Sequence, residues 1–90
     1  DQEMEFKAQA RRAKLLGAWA AELMGLSGED ATAYAKSVVL ADLEEEGEDD
    51  LFRKIRTDLD SHGVAQSDHQ IRSRMTDLLD EARAQVKAGV

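Results

Sequence analysis

The residues of this chain that could do chemistry crowd around one stretch, Asp58-Leu59-Asp60-Ser61-His62-Gly63, with His69 six residues on. Asp58, Asp60 and Gly63 fall at positions 1, 3 and 6 of a calcium loop of the EF-hand kind. Such a loop also needs oxygen ligands at positions 5 and 12, and those places hold His62 and His69. A helix ending at Gly63 accounts for the same residues. The two histidines alone lack the third and fourth ligands that zinc takes, so no metal or other cofactor is expected. Asp60-Ser61 is also the start of the Asp-Ser-Leu motif that carries phosphopantetheine in acyl carrier proteins. Here it is followed by His62 and Gly63 and falls at a helix end rather than a helix start. An acyl-carrier-like protein is therefore retained as an alternative only. No Gly-rich phosphate loop, nucleophile–base arrangement or walled carboxylate pair is present, and no catalytic residue is assigned.

Charge points to contacts rather than catalysis. The net charge is −7, which repels phosphate backbones and argues against nucleic-acid binding. The acidity is local. Residues 22–50 hold 10 acids and 1 base, whereas residues 1–21 hold 3 acids and 4 bases. The acidic stretch Asp42 to Asp50 reads first as a solvated turn, and otherwise as a site for a divalent ion or a basic partner. The bases of the first segment, Lys7, Arg11, Arg12 and Lys14, share a helix with Phe6, Leu15 and Trp19. Arginine, aromatic and apolar neighbours of this kind anchor protein interfaces.

The elements that must position these groups are helical. Phe6, Ala10, Ala13, Leu16, Gly17, Ala20, Leu23 and Met24 fall on one broad face of a helix over about 3–24, with Lys7, Arg11, Lys14 and Glu22 opposite. Gly25 stops it. Ser27, with Asp30 three residues later, reads as a capping-box start for a helix over about 28–46. Glu48, Asp49 and Asp50 favour the N-terminus of a third, over about 49–62, with Leu51, Phe52, Ile55 and Leu59 as its stripe. Ser67 and Gln70 form a second capping box for a fourth, over about 68–88, striped by Ile71, Met75, Leu78, Leu79, Ala82 and Val86. The short connections favour antiparallel neighbours. The expectation is an all-α, four-helix bundle-like single domain over residues 1–90, monomeric when free. Without Cys there are no disulfides or thiolate sites, as suits a cytoplasmic protein. No apolar run is long enough to span a membrane.

The run Phe6-Lys7-Ala8-Gln9-Ala10-Arg11-Arg12-Ala13-Lys14-Leu15-Leu16-Gly17 continues through Trp19-Ala20-Ala21-Glu22 and Leu26-Ser27-Gly28. With Ala33-Tyr34-Ala35-Lys36, Phe52-Arg53-Lys54 and Ser67-Asp68-His69-Gln70-Ile71-Arg72, it resembles the zeta-type inhibitor subunit of bacterial F-type ATP synthases over nearly the whole chain. The resemblance implies a protein without enzymatic activity. It would bind the catalytic head, made of alpha, beta and gamma subunits, on the cytoplasmic face of the membrane-bound enzyme, and suppress ATP hydrolysis while sparing synthesis. It also implies an N-terminal inhibitory segment that begins before the residue matching Asp1, so the 90-residue chain is expected to inhibit weakly or not at all, and an N-terminally extended form to inhibit. The expected partner-binding residues are Phe6, Lys7, Arg11, Arg12 and Lys14, and charge reversal at Arg11 and Arg12 is expected to weaken association. The rival reading is an acidic helical interaction module with no ATPase role.

Overall fold

A computed structural model describes residues 1–45 and 47–89 of the chain. Four helices follow in order: α1 Gln2–Leu23, α2 Gly28–Glu44, α3 Glu48–Ser61 and α4 Asp68–Ala88. The fold is all-α, a single compact domain, and no strand occurs among the described residues. The expected end of the second helix at residue 46 lies outside the described residues. The helix itself closes at Glu44, and Glu45 is already extended.

The punctuation acts largely as its chemistry requires. Gly25 and Gly63 take φ of +76° and +68° after α1 and α3, a region closed to most side chains. At α4 the Ser67 hydroxyl accepts from the Gln70 amide at 3.0 Å, and the Gln70 side chain accepts from the Ser67 amide at 2.9 Å. The expected cap at Ser27 does not form: its side chain makes no capping hydrogen bond. The chain enters α2 through Gly28 at φ +56°, and the Ser27 hydroxyl does not reach the first-turn amides.

α1 is the centre of the fold. It packs along both α2 and α4, and α3 lies against the other three, while α2 and α4 make no contact of note with each other. Leu16, Val38, Leu51, Ile55, Leu59, Ile71 and Met75 are fully buried. Burial of each such side chain contributes about 1.5–3 kcal/mol. Leu15, Trp19 and Tyr34 pack on the edge of this core.

Two features of α1 depart from the one-stripe expectation. Because it has neighbours on two sides, Ala8, Ala21 and even Arg12 are buried as well. Phe6, expected on the apolar face, is 56% exposed: it lies where the helix has no packed neighbour. Against α2 the approach is close. A Cβ at Gly17 would stand 2.8 Å from the Ala35 Cα, so only glycine permits this helix spacing.

Candidate functional site

The stretch that carried the candidate chemistry is bound up in internal contacts. Asp58 accepts from the Tyr34 hydroxyl at 2.8 Å and pairs with Lys54 at 2.9 Å. Burial, then the Asp58 contact, push the Tyr34 hydroxyl well above its ordinary value, so it stays protonated. Asp60 pairs with Arg56 at 2.6 Å. Arg56 also donates to the Gln66 carbonyl and to Asp68, tying the α3–α4 connection to α3. His62 caps α3, with Nδ1 3.0 Å from the Asp58 carbonyl oxygen. Ser61 is the exposed last residue of α3, and His69 is exposed in the first turn of α4. Among the described residues no group of three or more His, Asp or Glu is placed to hold a metal ion.

A different surface emerges at the N-terminal half of α1. Phe6 projects between two open hollows. One, of about 510 Å³, is bordered by Gln9, Ala10, Leu43 and Glu48, where α1 meets the α2–α3 connection. The other, of about 600 Å³, is bordered by Met4, Lys7, Ala10, Lys14, Val39 and Val86. Met4 and Leu43 are themselves 41% and 44% exposed. Phe6, Met4 and Leu43 thus form an apolar group left to solvent by a chain with few large apolar side chains to spare. An exposed apolar group rimmed by charge marks a contact surface more often than a defect of packing.

The five expected partner-binding residues do not all belong to this surface. Phe6 is its centre. Lys7 is exposed and holds Glu3, one helical turn away, at 3.4 Å. Lys14 is exposed and has no ion-pair partner among the described residues. Arg11 is half-buried and donates to the Gln85 side chain at 3.2 Å, a contact with α4. Arg12 is turned inward: it is 2% exposed, donates to both carboxylate oxygens of Glu48 and to Gln9, and its Nε lacks a partner among the described residues. Its charge is used inside the fold.

Met4 and Leu43 escaped the sequence reading. The signal was present in α2, where Val38, Val39, Leu40 and Leu43 cannot all lie on one stripe.

The start of α1 is pinned to α4. Glu5 takes two hydrogen bonds from Arg83, the shorter at 2.6 Å. The Arg83 contact holds the Glu5 carboxyl below its ordinary value of 4.5. The Phe6 surface is therefore presented on a helix whose first turns are tied to α4 by an exposed, salt-sensitive pair.

Comparison with known proteins places the whole molecule. Comparison with curated proteins finds no match. A structure determined by solution NMR is similar, with 44% identity, a TM-score of 0.82, and coverage of 97% of this chain and 99% of its own. A family model described as ATPase inhibitor subunit zeta matches residues 1–85. With a fold of four helices and a match over nearly its full length, the chain belongs to the ATPase inhibitor subunit zeta family.

Proposed function

We propose that this chain is a regulatory protein without catalysis of its own, which binds the catalytic head of F-type ATP synthase and restrains ATP hydrolysis. The N-terminal half of α1 makes the contact. The observation that carries this reading is Phe6, 56% exposed on α1 between two hollows, with Met4 and Leu43 beside it. Family membership supplies the class of partner.

The physical logic is that of a helix laid into a cleft between moving subunits. Apolar side chains at Met4, Phe6 and Leu43 supply buried area, and Lys7 and Lys14 steer toward an acidic rim. A rigid body held there opposes the opening and closing that hydrolysis requires. Rotation in one sense tightens such a wedge and rotation in the other expels it, which would spare synthesis. The contact residues are Phe6, Lys7 and Lys14. Arg11 acts at the edge, and Arg12 supports the helix from within. Among the described residues no helix is long and apolar enough to cross a membrane.

The test is retention of purified ATP synthase head on the immobilised chain, with ATP hydrolysis followed in parallel. Retention of the head is expected. Phe6→Glu should weaken it about tenfold, or about 1.4 kcal/mol, at an unchanged melting temperature. A head that is not retained, or that is retained equally by Phe6→Glu, would overturn the reading.

A further inference from the structure

Most of the bases of this protein are engaged by a carboxylate or a ring. Arg12, Arg53, Lys54, Arg56, Arg72 and Arg83 have ion pairs, and Arg74 lies over the Trp19 ring at 5.5 Å. Among the described residues, Arg11 and Lys87 have neither a carboxylate nor a ring contact, and neither do Lys14 and Lys36. Lys14 and Lys36 both border one open groove between α1 and α2, of about 640 Å³.

The walls of this groove are apolar and small. Ala18 on α1 faces Ala31 and Ala35 on α2, with Val39, Leu40 and Leu26 completing it. Small side chains at these places leave a trough where larger ones would fill it. The trough follows α2 from Ala31 to Leu40, about 14 Å at the rise of an α-helix. α2 supplies the apolar surplus. Of its residues only Ala35 and Val38 are buried among those described, while Leu40 is 59% exposed. The rim carries Lys14 and Lys36 against the single acid Glu22, in a chain whose net charge is −7. The local sign is thus opposite to that of the molecule.

We propose that the α1–α2 groove is a docking site for an acidic amphipathic helix of a partner protein. Its apolar row lies along Ala18, Ala35, Val39 and Leu40, and its carboxylates meet Lys14 and Lys36. The charge complementarity chooses the occupant: two unpaired lysines flanking an apolar trough reward apolar and acidic side chains together. A trough of about two and a half helical turns matches the i, i+3, i+4, i+7 spacing of such a helix. The groove adjoins the Phe6 hollow through Lys14 and Val39, but the proposal does not rest on the ATPase reading.

The probe is a synthetic helical peptide of leucine and glutamate in amphipathic register, beside a counterpart with lysine in place of glutamate. Binding is read from amide shifts of the isotope-labelled chain and from peptide anisotropy. The acidic peptide is expected to shift Ala18, Ala31, Ala35, Lys36 and Val39. Lys36→Glu, an exposed position whose variant is checked for folding by circular dichroism, should weaken it about tenfold or more. Phe6→Glu should leave it unchanged. Equal binding of the basic peptide, shifts centred on Phe6, or loss of binding in Phe6→Glu would overturn the proposal. So would no binding at millimolar peptide, self-association of the chain through the groove, or tighter occupation of the same residues by a simple alkyl carboxylate. Because the peptide assay contains no ATP synthase, its failure leaves the hydrolysis reading standing, and the reverse also holds.

Discussion

Arg12 of α1 and Glu48 at the start of α3 are joined by two hydrogen bonds, one of them 3.1 Å long, with Arg12 2% exposed and Glu48 open to solvent. The pair fastens the α2–α3 turn to the central helix. Its two ends are not equivalent. Glu48→Ala leaves a buried guanidinium with fewer acceptors, and is expected to cost about 1–2 kcal/mol, the solvent access of Glu48 keeping the loss below that of a fully buried pair. Arg12→Met frees a carboxylate that water can solvate, and should stay within about 1 kcal/mol of the parent. Urea denaturation of both variants checks the order. An Arg12→Met protein less stable than Glu48→Ala would show that the arginine stem, not the charge, holds the site.

The contact of Gly17 with Ala35 sets the spacing of α1 and α2. In an isolated helix, Gly→Ala would gain about 1 kcal/mol. Here the added Cβ meets backbone at 2.8 Å and the Val38 Cβ at 3.3 Å, and overpacking costs about 1–3 kcal/mol. Gly17→Ala should therefore destabilise, with a lower urea midpoint. A raised midpoint would show that the two helices separate freely.

The Glu5–Arg83 pair should titrate. The Glu5 carboxyl is held below its ordinary value of 4.5 by the Arg83 hydrogen bonds. A depressed acid contributes stability that is present above its unfolded value and lost as pH falls from there through the folded one. Amides in the first turns of α1 should thus lose protection, measured against their intrinsic exchange rates, below about pH 4.5. In Arg83→Gln, Glu5 should titrate closer to 4.5 and the same amides should lose protection at neutral pH. Carboxyl-carbon NMR against pH reads the titration, and amide hydrogen exchange reads the protection. An unchanged Glu5 titration in the variant would dissociate the pair from the shift.

The two serine starts give a paired prediction. Ser67→Ala removes a hydroxyl that accepts from the Gln70 amide and should cost about 1 kcal/mol. Ser27→Ala removes a hydroxyl without a capping bond and should be close to neutral. Thermal melts of the two variants decide, and equal losses would restore Ser27 as a cap.

Much of the fold was legible because local rules decide it. Gly25, Gly63, Ser67 and Gln70 act through backbone conformation and hydrogen bonds within one turn, so their neighbours in sequence suffice. The stripes of α3 and α4 were equally plain: Leu51, Phe52, Ile55 and Leu59, and Ile71, Met75, Leu78 and Ala82, are buried as their spacing demands, while Leu79 and Val86, expected on the same α4 stripe, are half-buried. Ser27 failed for a local reason also, since Gly28 at positive φ changes the entry to α2.

The candidate surface depended on more. A helical wheel shows that α1 has an apolar face but not how far its neighbours extend along it. The sequence alone determined four helices, their order, the caps at Gly25, Gly63 and Ser67, and the resemblance that named the family. Only the tertiary structure decided that α1 is flanked on two sides, so that Arg12 is drawn into the core toward Glu48 while Phe6, on the same helix and more apolar, is left in solvent. The reason is that burial belongs to pairs of elements. A side chain is buried when another helix passes over it, and the approach of α2 at Gly17 and of α4 at Arg83 fixes where that happens on α1.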